Sequence, residues 1–306
     1  MYPSPVTSVQ HIANTETIVT VVRTVNACFI SGLSTSPASC TITALDTTPS
    51  ADTYIVKELG GDKSVCEQVV KHVRCFKPDL GDFSKAVAER AAIWASIQHP
   101  NIVPLTCRIR NDLPAHYAPL DLVTLYCPRR NIITYIKEHS DVELLPLVAG
   151  IADGLGFLHS HDIVHGSVHK SNVLIHEYGK EDSPVPLLTD VGLAIATGKP
   201  GLQCPSPEAC EGKDPMSLFT KEADVYAFGM LLYEMITGKP PFLSRYPAPK
   251  VCLLVGQGRR PSRPERLSAV GEQLWPLVEE CWTPDPAQRP TMVAIRQRLA
   301  ELMNAH

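Results

Sequence analysis

The chain has 306 residues, of which 44% are hydrophobic and 20% charged, a composition that excludes a disordered or fibrous protein. Its formal net charge of −4 at pH 7 argues against a partner that is nucleic acid or a membrane surface. No apolar run reaches membrane-spanning length, and the N-terminus lacks a basic-then-apolar signal pattern, so we expect an intracellular, cytoplasmic location. Ten cysteines without metal-site spacing predict reduced thiols, of which Cys204 and Cys210 are candidates for exposure.

Up to about residue 126 the sequence has the alternating, β-branched pattern of strands. Runs rich in Val, Ile and Thr predict strands at 17–25, 40–45 and 53–59, and IVPLTCRI and LDLVTLY predict two more. Between them, FSKAVAERAAIWASI (83–97) predicts a helix with one apolar face that ends before Pro100. The long connection 59–82 is interpreted as an added helical insert, which would offer a surface to a partner.

The remainder of the chain has helical periodicity. Helices are predicted at NIITYIKEH, at 142–161, at 221–238, at 274–282 and at 291–303, and the third of these is apolar almost all round, as a central buried helix would be. A β-rich part followed by a helical part predicts an α+β fold of two lobes with a ligand cleft between them. We divide the chain into an N-terminal extension (1–16), a small lobe (17–127) and a large lobe (128–306).

Several short motifs follow one another in a recognisable order. They are IVK (55–57), QHPNIVPL (98–105), LVTLYCP (122–128), HGSVHKSN (165–172), TDVG (189–192), CPSPEA (204–209) and the pair ADVYAFGMLLYEMITGKPPF and ECWTPDPAQRPTM. In this order and at these distances the motifs resemble those of a protein kinase, and the GRRPSRP and CW…DP…RP spacing resembles the tyrosine-kinase-like group, of the type expanded in mushroom-forming fungi. The resemblance implies a bilobal protein kinase fold that binds ATP and Mg²⁺.

The resemblance also implies roles for individual residues. Lys57 would reach the nucleotide phosphates, and Asp190 and Asn172 would hold Mg²⁺. Thr124 would be the gatekeeper, while Tyr126 and Cys127 would offer backbone groups to adenine. Two further roles are structural: Asp224 would hold the catalytic-loop backbone, and Glu208 and Arg289 would form an ion pair that braces the activation segment.

The sequence departs from the family pattern where the chemistry is done. Ser167 replaces the aspartate that orients the attacking hydroxyl and accepts its proton, and a hydroxyl does not ionise near neutral pH. His169 replaces the lysine that steadies the transferring phosphate, although the neighbouring Lys170 could reach in. Gly166 replaces the arginine that would grip a phosphorylated activation loop.

Two departures concern the small lobe. Only Gly32 remains of the glycine-rich loop, at 31–39, whose backbone amides should approach the phosphates closely. The position of the helix glutamate that should pair with Lys57 is occupied by Arg90. Either Glu89 pairs with Lys57 after a local shift, or Lys57 pairs with Asp190.

Together the departures predict a catalytically impaired kinase domain, a pseudokinase, that acts as a nucleotide-modulated scaffold or allosteric partner of another protein. The alternative is a weakly active ATP-dependent Ser/Thr kinase, because Lys57, Asn172 and Asp190 are retained. A third interpretation is a decayed kinase copy without a partner.

Overall fold

The structure, a computed structural model, describes residues 20–25, 38–48, 51–59, 65–74, 80–109, 117–129, 131–177, 183–198, 205–210, 218–242 and 246–305. The chain divides into two compact units, one of Met1–Ala95 with Pro104–Tyr126 and one of Ser96–Val103 with Cys127–His306. No helix within the described ranges is both long and apolar enough to cross a bilayer.

In its described residues the first unit has a six-stranded sheet and one helix. Its strands pair antiparallel in the order β1-β2-β3-β4-β6-β5. The elements are β1 (Thr20–Val25), β2 (Ala38–Thr47), β3 (Ala51–Leu59), β4 (Val65–Arg74), α1 (Leu80–Ala95), β5 (Leu105–Ile109) and β6 (Tyr117–Leu125). All five strands expected in this part of the sequence form, as does the helix.

The strand β4 corrects one expectation, because residues 65–74 were interpreted as part of a helical insert. The sequence VCEQVVKHVR is rich in β-branched valine, which packs well on a pleated surface and lowers helix propensity. Both edges of β4 are paired, one with β3 and the other with β6. The segment therefore lies inside the sheet and is not an added helix.

The helix α1 packs on the sheet through the apolar face that the sequence predicts. Val87, Ala91 and Trp94 are each 1% exposed or less. The Sγ of Cys107 on β5 lies 3.8 Å from the carbonyl oxygen of Ala91, so α1 covers the face of the sheet to which Cys107 points.

The second unit is helical, with one short hairpin. Its elements are α2 (Ile132–Glu138), α3 (Leu144–Ser160), β7 (Val173–Glu177), β8 (Pro184–Leu188), α4 (Leu193–Thr197), α5 (Pro207–Cys210), α6 (Lys221–Thr237), α7 (Ala248–Gly256), α8 (Ala269–Cys281) and α9 (Met292–Asn304). Three of the longer helices begin at predictable caps: the side chains of Thr220, Ser268 and Thr291 each accept a backbone hydrogen bond at the start of α6, α8 and α9.

The helix α6 lies at the centre of this unit, as its all-round apolar sequence predicts. It ends at Gly238, which adopts the left-handed conformation with φ +65°. Gly229 allows α6 and α8 to approach closely, because a Cβ at this position would lie 2.5 Å from the Cβ of Cys281. Trp275 and Trp282 pack in the same core and are 2% and 7% exposed.

Candidate functional site

The loop before β7 is anchored by Asp224 of α6. Its Oδ2 accepts a hydrogen bond from the backbone N–H of His165 at 2.8 Å, and its Oδ1 accepts one from Gly166 N–H, also at 2.8 Å. His159 Nε2 lies 3.0 Å from Oδ2, and Asp224 is 2% exposed. Bonds from amides to a buried carboxylate are among the stronger hydrogen bonds in proteins. The expectation that Asp224 holds this loop is confirmed.

His165 is a packed residue rather than a proton carrier. Its side chain is fully buried, and burial lowers its pKa although the carboxylates of Asp224 and Asp190 act in the opposite direction. Its Nδ1 accepts a hydrogen bond from Ser167 N–H at 3.3 Å. A neutral imidazole in this position supports the loop and does not exchange protons near neutral pH.

Gly166 is required by the backbone and by its neighbours. Its φ is +76°, and a Cβ there would lie 2.9 Å from Cδ1 of Phe219 and 3.2 Å from Cγ1 of Ile195. Ile195 belongs to α4, directly after the TDVG motif. An arginine at this position would have to displace both side chains, so the space of the family's arginine is filled by apolar packing.

The residues that replace the transfer groups have different environments. Ser167 is half-buried and presents a hydroxyl. His169 accepts a hydrogen bond from Ser171 N–H at its Nδ1 (3.2 Å) and so caps the 3-10 turn Lys170–Asn172. Lys170 Nζ donates to Oε1 of Glu234 at 2.7 Å, and Glu234 is 6% exposed. The expectation that Lys170 could substitute for the missing lysine is therefore wrong, because its ammonium is committed to a buried carboxylate.

Asn172 and Asp190 are the two predicted metal ligands. Asn172 is 8% exposed, and its Nδ2 donates to the carbonyl oxygen of Ser167 at 3.0 Å, which leaves Oδ1 as the acceptor of the amide. Backbone hydrogen bonds hold the residues on both sides of Asp190 to the loop: Thr189 N–H donates to Asn172 O and Gly192 N–H to His165 O, each at 3.0 Å.

These two side chains suit a hard cation. A carboxylate and a neutral amide oxygen are the ligands that Mg²⁺ prefers, and Mg²⁺ is commonly bound by one or two protein ligands with water and phosphate oxygens completing the octahedron. Within the described ranges no group of three or more His, Cys, Asp and Glu side chains forms a metal cage.

In the first unit, the partner of Lys57 differs from both alternatives that the sequence left open. Its Nζ lies 2.5 Å from Oε1 of Glu67, the residue directly opposite it on β4. The ion pair with Glu67 raises the pKa of the Lys57 ammonium. Pairing with Glu89 or with Asp190 was expected because residues 65–74 were not recognised as a strand; once β4 forms, a cross-strand glutamate is the nearest carboxylate.

The strand β4 carries a second lysine that sequence reasoning missed. Lys71 lies opposite Leu122 of β6, and Val69, two positions earlier, lies opposite Thr124. Side chains two apart on a strand share a face, so Lys71 and Thr124 lie on one face of neighbouring strands. Lys57 is on the same face but on β3, one strand further from β6. The signal was present in the sequence, since VVK (69–71) repeats the pattern of IVK (55–57).

That face is the one on which α1 packs. Leu122 lies opposite Cys107 of β5, and Cys107 contacts Ala91 of α1. Because residues directly opposite in an antiparallel pair point to the same side, Lys71, Leu122 and Cys107 all point toward the α1 side of the sheet. Lys71 is half-buried there, whereas 46% of the Lys57 side chain is exposed.

The predicted adenine-binding segment follows β6. Thr124 and Tyr126 are half-buried residues of the first unit. Cys127 begins the second unit and is 6% exposed, and burial raises its thiol pKa to about 12. Of the other site predictions, Gly32 lies outside the described residues. Ser167, His169, Asn172 and Asp190 all belong to the second unit, in the loop and the turn that the hydrogen bonds above connect.

A buried ion pair links α5 to the segment after α8. The guanidinium of Arg289 donates to both carboxylate oxygens of Glu208, at 2.8 and 2.7 Å, and to three backbone carbonyl oxygens. Burial alone would raise the pKa of Glu208, but the hydrogen bonds from Arg289 lower it overall. The sequence prediction of this pair is confirmed.

Comparison with known proteins agrees with this architecture. The family described as "Protein tyrosine and serine/threonine kinase" matches residues 56–299. The chain is 33% identical over 213 residues, 65% of its length, to the serine/threonine-protein kinase PkaA of Streptomyces coelicolor, of which this covers 36%. It is 27% identical over 251 residues, 78% of the chain, to the serine/threonine-protein kinase STY46 of Arabidopsis thaliana, of which this covers 40%.

A third relative is the mitogen-activated protein kinase kinase kinase 10 of Xenopus laevis, with 29% identity over 264 residues, 81% of the chain and 25% of that protein. The chain thus spans less than half the length of these curated relatives. The family match covers most of the chain, and the elements on which the kinase motifs lie are formed. The chain belongs to the protein tyrosine and serine/threonine kinase family.

Proposed function

We propose that this kinase domain is catalytically impaired and acts by binding a nucleotide and a protein partner. The observation that carries the proposal is the state of the loop 165–172. Its scaffold is complete, with Asp224 holding the backbone and Asn172 bonded across it. Nevertheless the position of the base is occupied by Ser167.

Phosphoryl transfer depends on positioning and on electrostatic stabilisation, together with a carboxylate that orients the attacking hydroxyl and takes its proton. Loss of a general base typically lowers the rate about 10²–10⁴-fold. Lys170, the candidate replacement for the lysine that steadies the phosphate, is paired with Glu234, and one ring nitrogen of His169 is engaged by the backbone. The loop would therefore orient a nucleotide-bound metal better than it would promote transfer.

Asp190 and Asn172 would hold Mg²⁺, which when bound neutralises phosphate charge.

For the phosphate-binding cation we propose Lys71 in preference to Lys57. In the kinase signature set the glycine-rich loop precedes the strand lysine. The family match begins at residue 56, which leaves room for such a loop before Lys71 but not before Lys57. Gly60 and Gly61 lie between the two lysines.

The alternative of a weakly active Ser/Thr kinase has its own support. Two of the relatives, PkaA and STY46, are serine/threonine kinases by name, and the chain retains both predicted metal ligands. Membership of a fungal branch of the tyrosine-kinase-like group stays a prediction.

One pair of assays separates these functions. Nucleotide binding is measured as the rise in melting temperature with ATP and Mg²⁺, and transfer as radiolabelled phosphate incorporated into a generic protein substrate. Both are run on the wild type and on Asp190→Ala. A melting shift without transfer supports the proposal, whereas transfer that Asp190→Ala abolishes contradicts it. Absence of a shift contradicts the nucleotide-binding part.

The two lysines are compared as matched variants in the binding assay. Lys71→Met is expected to abolish the ATP-dependent shift, and Lys57→Met, which removes a cation from the same face one strand away, is expected to retain it. The reverse result would return the role to Lys57. Ser167→Asp, which restores the carboxylate, is expected to raise transfer if Lys71 and the metal ligands still orient ATP.

A further inference from the structure

Two cysteines of the second unit face each other at the junction of α5 and α7. Cys210 is the last residue of α5, and Cys252 lies in α7. The two helices pack together, and the Cys252 thiol lies close enough to Cys210 to raise the pKa of the Cys210 thiol. Both thiols are half-buried.

The helical geometry of α7 is a second indication that Cys210 and Cys252 lie on the same side of this helix junction. Gly256 lies one turn after Cys252, on the same face of the helix. A Cβ at Gly256 would lie 4.0 Å from the Cβ of Cys210, its nearest neighbour. The Cβ of Cys210 therefore lies against the stripe of α7 that Cys252 and Gly256 form. A distance of 4.0 Å is ordinary van der Waals contact, so α5 and α7 pack directly against each other here.

We propose that Cys210 and Cys252 are a dithiol that hydrogen peroxide oxidises to an intramolecular disulfide, which ties the end of α5 to α7. Disulfide formation requires two cysteines whose Cβ atoms approach each other, and the packing of α5 on α7 brings the Cβ of Cys210 to the face of α7 that carries Cys252. The chain closed by the bond is 210–252, and it includes all of α6.

The reaction proceeds in two balanced steps. The sulfur of Cys252, as thiolate, attacks one oxygen of the peroxide; the O–O bond breaks, a sulfenic acid forms, and hydroxide leaves to become water with the thiol proton. The sulfur of Cys210 then attacks the sulfenic sulfur; the S–O bond breaks, the disulfide forms, and a second water leaves. In sum, two thiols and one peroxide give one disulfide and two waters, and a dithiol reductant reverses the bond.

The environment assigns the order of the two sulfurs. Burial, together with the neighbouring Cys252, raises the pKa of Cys210 to about 12. A thiol with a raised pKa is less readily ionised, so Cys252 is assigned as the sulfur that meets the peroxide and Cys210 as the resolving thiol.

The proposed disulfide would join α5, at the end of the activation segment, to α7. The helix α5 carries Glu208, the partner of the buried Arg289, two positions before Cys210. A covalent tie at Cys210 adds a second connection between the end of this segment and the helical core. The oxidised protein should therefore unfold at a higher temperature, because a closed loop lowers the entropy of the unfolded chain.

Peptide mapping tests the bond directly. The full chain is treated with hydrogen peroxide, its remaining thiols are alkylated, and it is digested with trypsin without reduction. The expected product joins residues 251–259 to residues 181–213 and disappears after dithiothreitol. Because the second peptide also contains Cys204, the variant Cys204→Ser is mapped in parallel and is expected to keep the link.

The matched variants Cys210→Ser and Cys252→Ser are both expected to lose the link and the oxidation-dependent rise in melting temperature. Their melting temperatures in reductant show whether each is folded, and the wild-type peptide map stands even if one is not. A dimedone adduct on Cys252 is expected to accumulate in Cys210→Ser, since the resolving thiol is gone. The exposed Cys66 and Cys107 serve as internal standards for peroxide exposure.

Three results would overturn the proposal. The first is a link to residues 251–259 that Cys204→Ser abolishes. The second is oxidation of Cys66 and Cys107 with no link between α5 and α7. The third is a disulfide that forms between chains, seen as a dimer in non-reducing electrophoresis, with no intramolecular product.

Discussion

Replacement of Arg289 by alanine is expected to destabilise the second unit strongly. None of the Arg289 side chain is exposed, and 14% of the Glu208 side chain is. The guanidinium makes two hydrogen bonds to the carboxylate and three to backbone carbonyls, and its carbon lies 5.0 Å from the ring centre of Tyr226. Alanine would leave a largely buried carboxylate without its counter-ion and several carbonyl groups without the donors that Arg289 supplies.

The expected loss in the free energy of unfolding follows from the burial of the ion pair. Removal of one partner of a buried ion pair typically costs about 3–5 kcal/mol, because the remaining charge is uncompensated. For a domain of about 150–250 residues each kcal/mol lowers the melting temperature by about 2–4 °C, so we expect a decrease of roughly 6–20 °C. Urea unfolding followed by far-UV circular dichroism gives the free energy of unfolding directly.

Arg298 provides a matched control. It also forms two hydrogen bonds to one carboxylate, that of Glu280, at 2.6 and 2.7 Å. Its side chain is 42% exposed and that of Glu280 is 44% exposed. Exposed pairs contribute about 0–1 kcal/mol, so Arg298→Ala should change the stability little. Equal losses for Arg289→Ala and Arg298→Ala would refute the claim that burial decides the cost.

The pair also predicts a pH dependence. The folded pKa of Glu208 lies below its ordinary value of 4.5, so its stabilisation is fully present above pH 4.5 and is lost as the pH falls through the folded pKa. The wild type should therefore lose stability in acid more steeply than the double variant Glu208→Leu/Arg289→Met. Because apolar replacement of both partners can be neutral or stabilising, the double variant should also be more stable than Arg289→Ala. A double variant as unstable as the single one would contradict this.

Three further outcomes are expected. Gly166→Ala should lower the free energy of unfolding by more than Gly238→Ala. Both glycines have positive φ, for which alanine costs about 1–2 kcal/mol, but only at Gly166 would the added Cβ also meet Phe219. Urea unfolding compares the two variants, and equal losses would show that the contact with Phe219 adds nothing to the cost. Asp224→Asn should raise the hydrogen-exchange rate at the backbone amides of residues 165 and 166 by about tenfold or more. An amide side chain offers one acceptor oxygen, whereas the carboxylate offers two. Unchanged exchange rates would contradict the anchoring role of Asp224. Trp94→Ala should destabilise the protein by about 3–5 kcal/mol, as expected for a fully buried ring, and a loss below 1 kcal/mol in urea would mean that α1 is not packed through this residue.

Six of the helices (α1, α2, α3, α6, α8 and α9) were predictable because their signals are local, whereas α4, α5 and α7 were not predicted. The helix α6 is specified by its apolar sequence, by Thr220 at its start and by Gly238 at its end, all within 19 consecutive positions. The loop anchored by Asp224 could also be predicted, since the family motif links that residue to the loop.

The site partners were less predictable, because they depend on which strands pair. Lys57 pairs with Glu67 because β4 lies beside β3, and the sequence analysis predicts a helix where β4 lies. Likewise, the ion pair between Lys170 and Glu234 joins residues 64 positions apart. Neither contact has a local sequence pattern. Because β4 was predicted as a helix, Glu67 was not expected as the partner of Lys57, and Lys71 was not considered as a phosphate-binding lysine.

The close approach of α6 and α8 gives the chain a built-in chemical reporter of unfolding. Cys281 has no exposed surface, Gly229 lies directly against it, and burial raises the pKa of its thiol. A thiol reagent can react with Cys281 only after the two helices separate. The rate at which that cysteine becomes labelled in the native protein would therefore measure how often the centre of the second unit opens, in a protein to which no probe has been attached.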